Sequence, residues 1–246
     1  MKIGIIGAME PEVAALKEAM EIKSCKQQAG MDFFDGELEG VPVVVVKCGV
    51  GKVNAAVCVQ ILADCFEVSH VINTGIAGSL NADLDIGDIL VSEKAIQHDM
   101  NVTVFGYQLG QVPGFESREF IADSAMAQAA VGACQLANPD IHVVKGCVVS
   151  GDQFISDDKV KQHLIDEFNG DCAEMEGASI AQAASLNSLP FVIIRAISDK
   201  ADGSAQMDYP TFERKAAEHC AKMVIQFLKI WKLANYTREP NDLPID

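Results

Sequence analysis

Residues 1–12 read MKIGIIGAMEPE, and they set the fold class. Lys2 to Ile6 is a short apolar run bounded by a glycine, the pattern of a buried strand. Pro11 then opens a helical stretch to Met20, with proline in the first turn, where its missing N–H costs nothing. A secretion signal would need a longer apolar core and a small-residue cleavage site; here two glycines interrupt the run and acids follow at once. The segment reads as the first strand and first helix of an α/β protein.

The same alternation continues outward. Met31 to Leu38 and Val41 to Lys47 read as a hairpin around Glu39-Gly40. Val53 to Cys65 is apolar on nearly every face and predicts a buried helix. His70 to Asn73 predicts a strand ending in the turn Thr74-Gly75-Ile76-Ala77-Gly78. Asp88 to Ile96, Val143 to Ser150 and the very apolar Phe191 to Ile197 predict further strands. Ile121 to Leu136, Asp157 to Phe168, Gly177 to Leu189 and Tyr209 to Ala234 predict helices. Strands alternating with helices imply a largely parallel sheet. No linker or repeat breaks the pattern, so one domain over 1–236 is expected, with a loosely held tail at 237–246.

Composition narrows the function classes. Of 246 residues, 49% are apolar and 22% charged, ordinary globular usage. A formal charge of −16 repels phosphate backbones, so nucleic acid is not an expected partner. No apolar run approaches the ~18 residues of a membrane span. The eight cysteines form no CxxC pair and sit mostly among apolar neighbours, so buried reduced thiols in a cytoplasmic protein are expected. The five histidines show no metal-ligand spacing; neither metal nor cofactor is expected. His98-Asp99 reads as a structural loop pair.

In open α/β sheets ligands bind beyond the carboxyl ends of the strands. Glycines and acids gather there: Gly7-Ala8-Met9-Glu10-Pro11-Glu12, Gly49-Val50-Gly51-Lys52, Gly75-Ile76-Ala77-Gly78, Gly151-Asp152-Gln153-Phe154-Ile155, Glu174-Met175-Glu176 and Ser198-Asp199. Singly each is weak. Gly49 to Lys52 lacks phosphate-loop spacing and reads as a turn that starts a packed helix. The Glu174/Glu176 pair could be a solvated edge. Asp199, after a strand apolar but for Arg195, is either a helix cap or a buried functional acid.

Together the blocks MKIGIIGAMEPEV, GVGKVNAA (49–56), INTGIAGSL (72–80), HDMNVTVFGYQLGQVPG (98–114), VSGDQFI (149–155), AEMEGASIA (173–181) and RAISDKAD (195–202) resemble the 5′-methylthioadenosine/S-adenosylhomocysteine nucleosidases, over nearly the whole chain and in order. The resemblance implies a three-layer α/β/α domain of nucleoside phosphorylase type, with a central mixed sheet flanked by helices. It implies hydrolysis of the bond between adenine and a 5′-thio-substituted ribose. By resemblance Glu12 activates water, Asp199 protonates adenine N7 and Glu176 holds the ribose hydroxyls. Phe154 packs on adenine, with backbone near Ile155 reading its edge. Met175 packs on the sugar, Gly78 lines the site and Ser198 supports Asp199. Met9, Val50 and Tyr209 match the 5′-thio pocket, and Phe105 and Pro113 enter from the partner of a homodimer. Ile76 stands where relatives often carry Ser, and Tyr209 where many carry Phe.

Elementary chemistry agrees with such roles. An oxocarbenium-like transition state wants an acid on the leaving group and a base on water, and an acid working near neutrality needs a raised carboxyl pKa. Phosphorolysis would want arginine near the phosphate, yet none of Arg118, Arg195, Arg214 and Arg238 lies in the loops at 7–12, 48–52 or 74–79. A sensor that only binds nucleosides has no need of all three acids. The segment 98–117 is long and apolar (Val102, Val104, Phe105, Tyr107, Leu109, Val112), which marks an interface.

Overall fold

The computed structural model describes residues 1–236; the tail expected at 237–246 lies outside the described residues. The chain runs β1 (Ile3–Gly7), α1 (Glu10–Ala19), β2 (Glu21–Gln28), β3 (Met31–Leu38), β4 (Val41–Lys47), α2 (Lys52–Phe66), β5 (His70–Ser79), β6 (Ile89–Gln97), β7 (Phe120–Ile121), α3 (Ser124–Ala137), β8 (Val143–Ser150), α4 (Asp158–Phe168), β9 (Cys172–Glu174), α5 (Gly177–Leu186), β10 (Phe191–Asp199) and α6 (Ala205–Tyr236).

The strands form one mixed sheet. Parallel ladders join β4, β1, β5 and β10, and also β6, β8 and β9. Antiparallel ladders β10–β6 and β5–β9 close these into a ring of β5, β10, β6, β8 and β9, while β4, β3 and β2 extend from β1 as a meander. The central strands bury both faces, which explains their unbroken apolar runs. Ile3 and Ile5 of β1, with Val43 and Val45 of β4, pack with α1, α3 and α6. Ile6, Val44 and Val46 point the other way, into α2 and α5. A smaller core under α4 joins Leu164 and Phe168 to Ile96 and Val149. These are the three layers implied by the resemblance.

Local chemistry explains most boundaries. Glu39 and Gly40 both take positive φ, 54° and 69°, as a two-residue hairpin turn matched to strand twist requires. Asp123 caps α3 by accepting from Met126 N–H at 2.8 Å, and Asp157 caps α4. Helix α3 therefore starts after the expected Ile121, which instead pairs with Lys94 in β7. Helix α6 starts at Ala205, ahead of the expected Tyr209.

Other expectations are corrected. β2 was not foreseen: EIKSCKQQ is exposed along almost its whole length and carries no apolar alternation. β9 spans three residues, too short for a pattern. The turn expected at 74–78 is the second half of β5, pairing with β10 through Gly75–Arg195 and Ala77–Ile197. Its glycines serve close approach, not a turn. A Cβ on Gly75 would run into the Glu12 carboxylate, and one on Gly78 would lie 2.8 Å from Asp199 Oδ1. Helix α2 is not buried all round, since Val53 is 75% exposed. Six of the eight cysteines are buried, but Cys25 and Cys65 are exposed. The segment 98–117 divides: Leu109 and Val112 pack on the cores, whereas Val104 and Phe105 stand in solvent.

Candidate active site

The ends of β1, β5, β9 and β10 converge on a cleft of about 100 Å³. Glu12, Glu176 and Asp199 all line it, together with Met9, Val50, Ile76, Gly78, Phe154, Met175, Ser198 and Tyr209. Ile155 lines an adjoining hollow that shares Gly78, Phe154, Met175 and Asp199 with the cleft. Phe105 and Pro113 do not line the cleft of their own chain and are exposed. Ala8, Ala77, Ala173 and Glu174 complete the wall; nothing in the sequence marked the alanines.

Glu12 sits in the first turn of α1 and folds back on its own helix start. Its Oε2 accepts Ala8 N–H at 2.6 Å and Met9 N–H at 2.9 Å, and its Oε1 accepts Ile76 N–H at 3.1 Å from β5. Burial raises its carboxyl pKa, against the pull of Arg195 and of these three N–H groups. The side chain is therefore a hydrogen-bond acceptor fixed on both oxygens at the wall of the cleft.

Asp199 ends β10 and is 2% exposed. Burial raises its pKa, while the Ala201 N–H at 2.8 Å and the Ser198 hydroxyl at 2.8 Å oppose the shift. Asp208 and Asp202 push it further up. Asp199 does not cap α6: its bonds go to Ser198 and to the loop beyond β10 and not to the start of that helix.

The two glutamates of Glu174-Met175-Glu176 part company, and neither is a solvated edge. Glu174 turns inward. It accepts from Arg195, from the Ser150 hydroxyl and from Gly177 N–H at 2.8 Å. Glu176 faces the cleft and accepts Gly51 N–H at 2.7 Å. Burial, with Glu174 beside it, pushes the Glu176 carboxyl up to about 8. Arg195 answers the local negative charge: 2% exposed, it donates to Glu174, Asn73 and the Ile194 carbonyl. From the sequence Arg195 is only an arginine away from the loops at 7–12, 48–52 and 74–79. The signal was there, because an arginine inside FVIIRAI must be buried and so demands a carboxylate.

The far side of the cleft is apolar. Phe154 meets Tyr209 edge to face at 5.6 Å, and the Tyr209 hydroxyl donates to Met9 Sδ at 3.1 Å. Burial raises the Cys48 thiol pKa, which makes it a poor nucleophile. Among the described residues no cluster of histidine, cysteine or acid could hold a metal ion, and no helix is long and apolar enough to cross a membrane.

Residues 2–229 match the Phosphorylase superfamily. The 5′-methylthioadenosine/S-adenosylhomocysteine nucleosidase of Geobacillus kaustophilus is 42% identical over 96% of this chain and 100% of its own. The nucleosidase of Neisseria meningitidis, solved with methylthio-immucillin-A, superposes with a TM-score of 0.90 at 38% identity, covering 93% of this chain and 98% of that one. The futalosine hydrolase of Helicobacter pylori shares the fold at a TM-score of 0.88 and 30% identity, over 93% and 97% of the two chains. With four buried acids around one cleft and this similarity along its length, the chain belongs to the 5′-methylthioadenosine/S-adenosylhomocysteine nucleosidases, N-glycosyl hydrolases of the phosphorylase superfamily.

Proposed function

We propose that this enzyme hydrolyses 5′-methylthioadenosine and S-adenosylhomocysteine, and 5′-deoxyadenosine as a further substrate, releasing adenine and the 5′-substituted ribose. The reaction would return the thio-sugar to methionine salvage and clear a by-product of methyl transfer. One observation carries the reading: a buried acid with raised pKa, Asp199, shares a cleft with a proton acceptor, Glu12, anchored on both oxygens.

Adenine leaves only if it is protonated, so the acid must hold its proton near neutral pH. Burial of Asp199 favours that form, and its proton would go to N7. Glu12 takes a proton from water as the water adds to the anomeric carbon. Its pKa, raised toward the working pH, suits a general base. Glu176 accepts from the ribose hydroxyls and, once ionised, adds negative charge near the oxocarbenium-like sugar. Phe154 supports the base and Met175 the sugar. Atoms balance as nucleoside plus water giving adenine plus free sugar, with no cofactor.

The 5′ group sits against Met9, Val50 and Tyr209. This apolar lining suits the thioether end of a 5′-thio substituent. Phe105 and Pro113 of a partner subunit would close the pocket of a homodimer, supported by the exposure of Val53, Val104 and Phe105 on one chain. The lack of a membrane-spanning helix among the described residues is compatible with the expected cytoplasmic location. Adenine release by purified protein, measured with and without phosphate, tests the reading. Turnover that requires phosphate, or no release at all, would refute it.

A further inference from the structure

The turn that opens α2 carries the backbone N–H accepted by Glu176, and a closed ring of contacts outside the cleft holds that turn. Gly51 is the N-cap residue of α2, with φ 99°, and offers no side chain to cap it. Acids from other segments take that place. Asp152 Oδ1 accepts Lys52 N–H at 2.9 Å. The Asp152 N–H donates to Asp99 Oδ2 at 3.1 Å, and Lys52 Nζ donates to Asp99 Oδ1 at 2.6 Å. Ser179 of α5 donates to the Lys52 carbonyl at 2.7 Å. Lys52 is thus held through its N–H, its carbonyl and its ammonium by three separate segments. None of Lys52, Asp99 and Asp152 lines the cleft.

Two of the three ring side chains are sheltered, while Asp152 is exposed. The Lys52 and Asp99 side chains are 20% and 17% exposed. Burial opposes ionisation of Asp99, yet the Lys52 ammonium and the Asp152 N–H hold its carboxyl below the ordinary value. The position next to Lys52 tolerates little but glycine: a side chain there would be strained by the positive φ, and its Cβ would lie 3.2 Å from Asp152 Oδ1.

We propose that Lys52, Asp99 and Asp152 are positioning residues whose ring fixes the Gly51 N–H on Glu176 and keeps that carboxylate set as an acceptor for the sugar. The proposal rests on the reading that Glu176 holds the ribose hydroxyls. The groups facing Glu176 are Glu174 of β9, Glu12 of α1, Arg195 of β10, Cys48 after β4 and Tyr209 of α6. Of these only Arg195 favours the ionised carboxylate, so the Gly51 N–H is the other support it has. If the turn drifts, Glu176 ionises at higher pH and the sugar binds less well.

The test compares Asp152→Ala, Asp152→Asn and Lys52→Met, with 5′-methylthioadenosine as substrate, from about pH 6 to about pH 10. Asp152→Ala and Lys52→Met should raise KM by about tenfold with kcat within about threefold, and should move the acid limb of kcat/KM up by about one pH unit. Asp152→Asn keeps an oxygen to accept Lys52 N–H and should restore both values. Should Asp152→Ala fail to fold, Lys52→Met carries the comparison. An acid limb that stays in place in the folded ring variants would overturn the proposal. Glu176→Gln, run alongside, separates the two levels: wild-type kcat/KM in that variant would sink the reading of Glu176 itself, whereas a lost acid limb there and an unmoved one in the ring variants would sink only the ring.

Discussion

Arg195 and Glu174 form an ion pair in the protein interior, with side chains 2% and 4% exposed. Glu12 and Glu176 also lie within the field of the guanidinium. Removing the cation leaves three acids facing one another without compensation. Breaking a buried pair from one side costs about 3–5 kcal/mol. Arg195→Met should therefore lower Tm by roughly 10 °C. Differential scanning fluorimetry checks this, and a Tm within about 2 °C of wild type would refute it.

Asp199→Asn removes the proposed proton donor while preserving size. Turnover of 5′-methylthioadenosine should fall by roughly 10²–10⁴-fold. Because the acid works protonated, wild-type kcat should also decline as pH rises through the raised pKa of Asp199, and the variant should lose that limb. Steady-state kinetics across pH decide it; turnover within a few-fold of wild type would remove Asp199 from the role of acid.

Glu12→Gln keeps an oxygen to accept from Ala8, Met9 or Ile76 but cannot take a proton from water. It should lose turnover by a similar factor while still binding adenine, which calorimetry can measure. Weakened adenine binding with little change in turnover would mark Glu12 as a ligand contact and not a base.

Glu176 gives the fold a dependence on pH. Its carboxyl titrates at about 8 in the folded chain and near 4.3 when unfolded. Between those values the native state binds the extra proton, so its contribution to stability is complete at low pH and is lost as pH rises toward 8. The unliganded protein should show a falling Tm between about pH 6 and about pH 8, and Glu176→Gln should flatten that slope. An identical slope in the two proteins would exclude Glu176 as its source.

The fold was legible where burial writes a pattern. β1, β4 and β10 are buried along almost their whole length and announce themselves as apolar runs, and the hairpin at Glu39-Gly40 follows from turn chemistry. β2 was silent because both of its faces meet water, so nothing selects alternation. The glycines of β5 misled because conformational freedom and close approach call for the same residue; only the packing of Glu12 and Asp199 against Gly75 and Gly78 separates the two. At the site, sequence position located Glu12, Asp199 and Glu176 at strand or helix termini. It could not show that Arg195 offsets the charge of Glu12 and Glu176, because the pairing with Glu174 spans 21 residues of sequence and depends on how β9 and β10 enter the sheet.

Phe105 supplies the last prediction. Its ring is 77% exposed and its neighbour Val104 85% exposed, although Leu109 and Val112 of the same segment pack inward. A segment anchored at one part and apolar at its exposed tip is shaped to enter another molecule. Two-fold symmetry would let each subunit place Phe105 and Pro113 over the other's 5′ pocket. Shielding of that kind affects ground state and transition state alike, so Phe105→Ala should raise KM for 5′-methylthioadenosine and leave kcat nearly unchanged. The loss should be smaller for 5′-deoxyadenosine, which lacks the alkylthio group the ring would cover. Sedimentation should show a dimer at assay concentrations; a fully active monomer, or a Phe105→Ala enzyme with unaltered KM for both nucleosides, would refute the shared pocket.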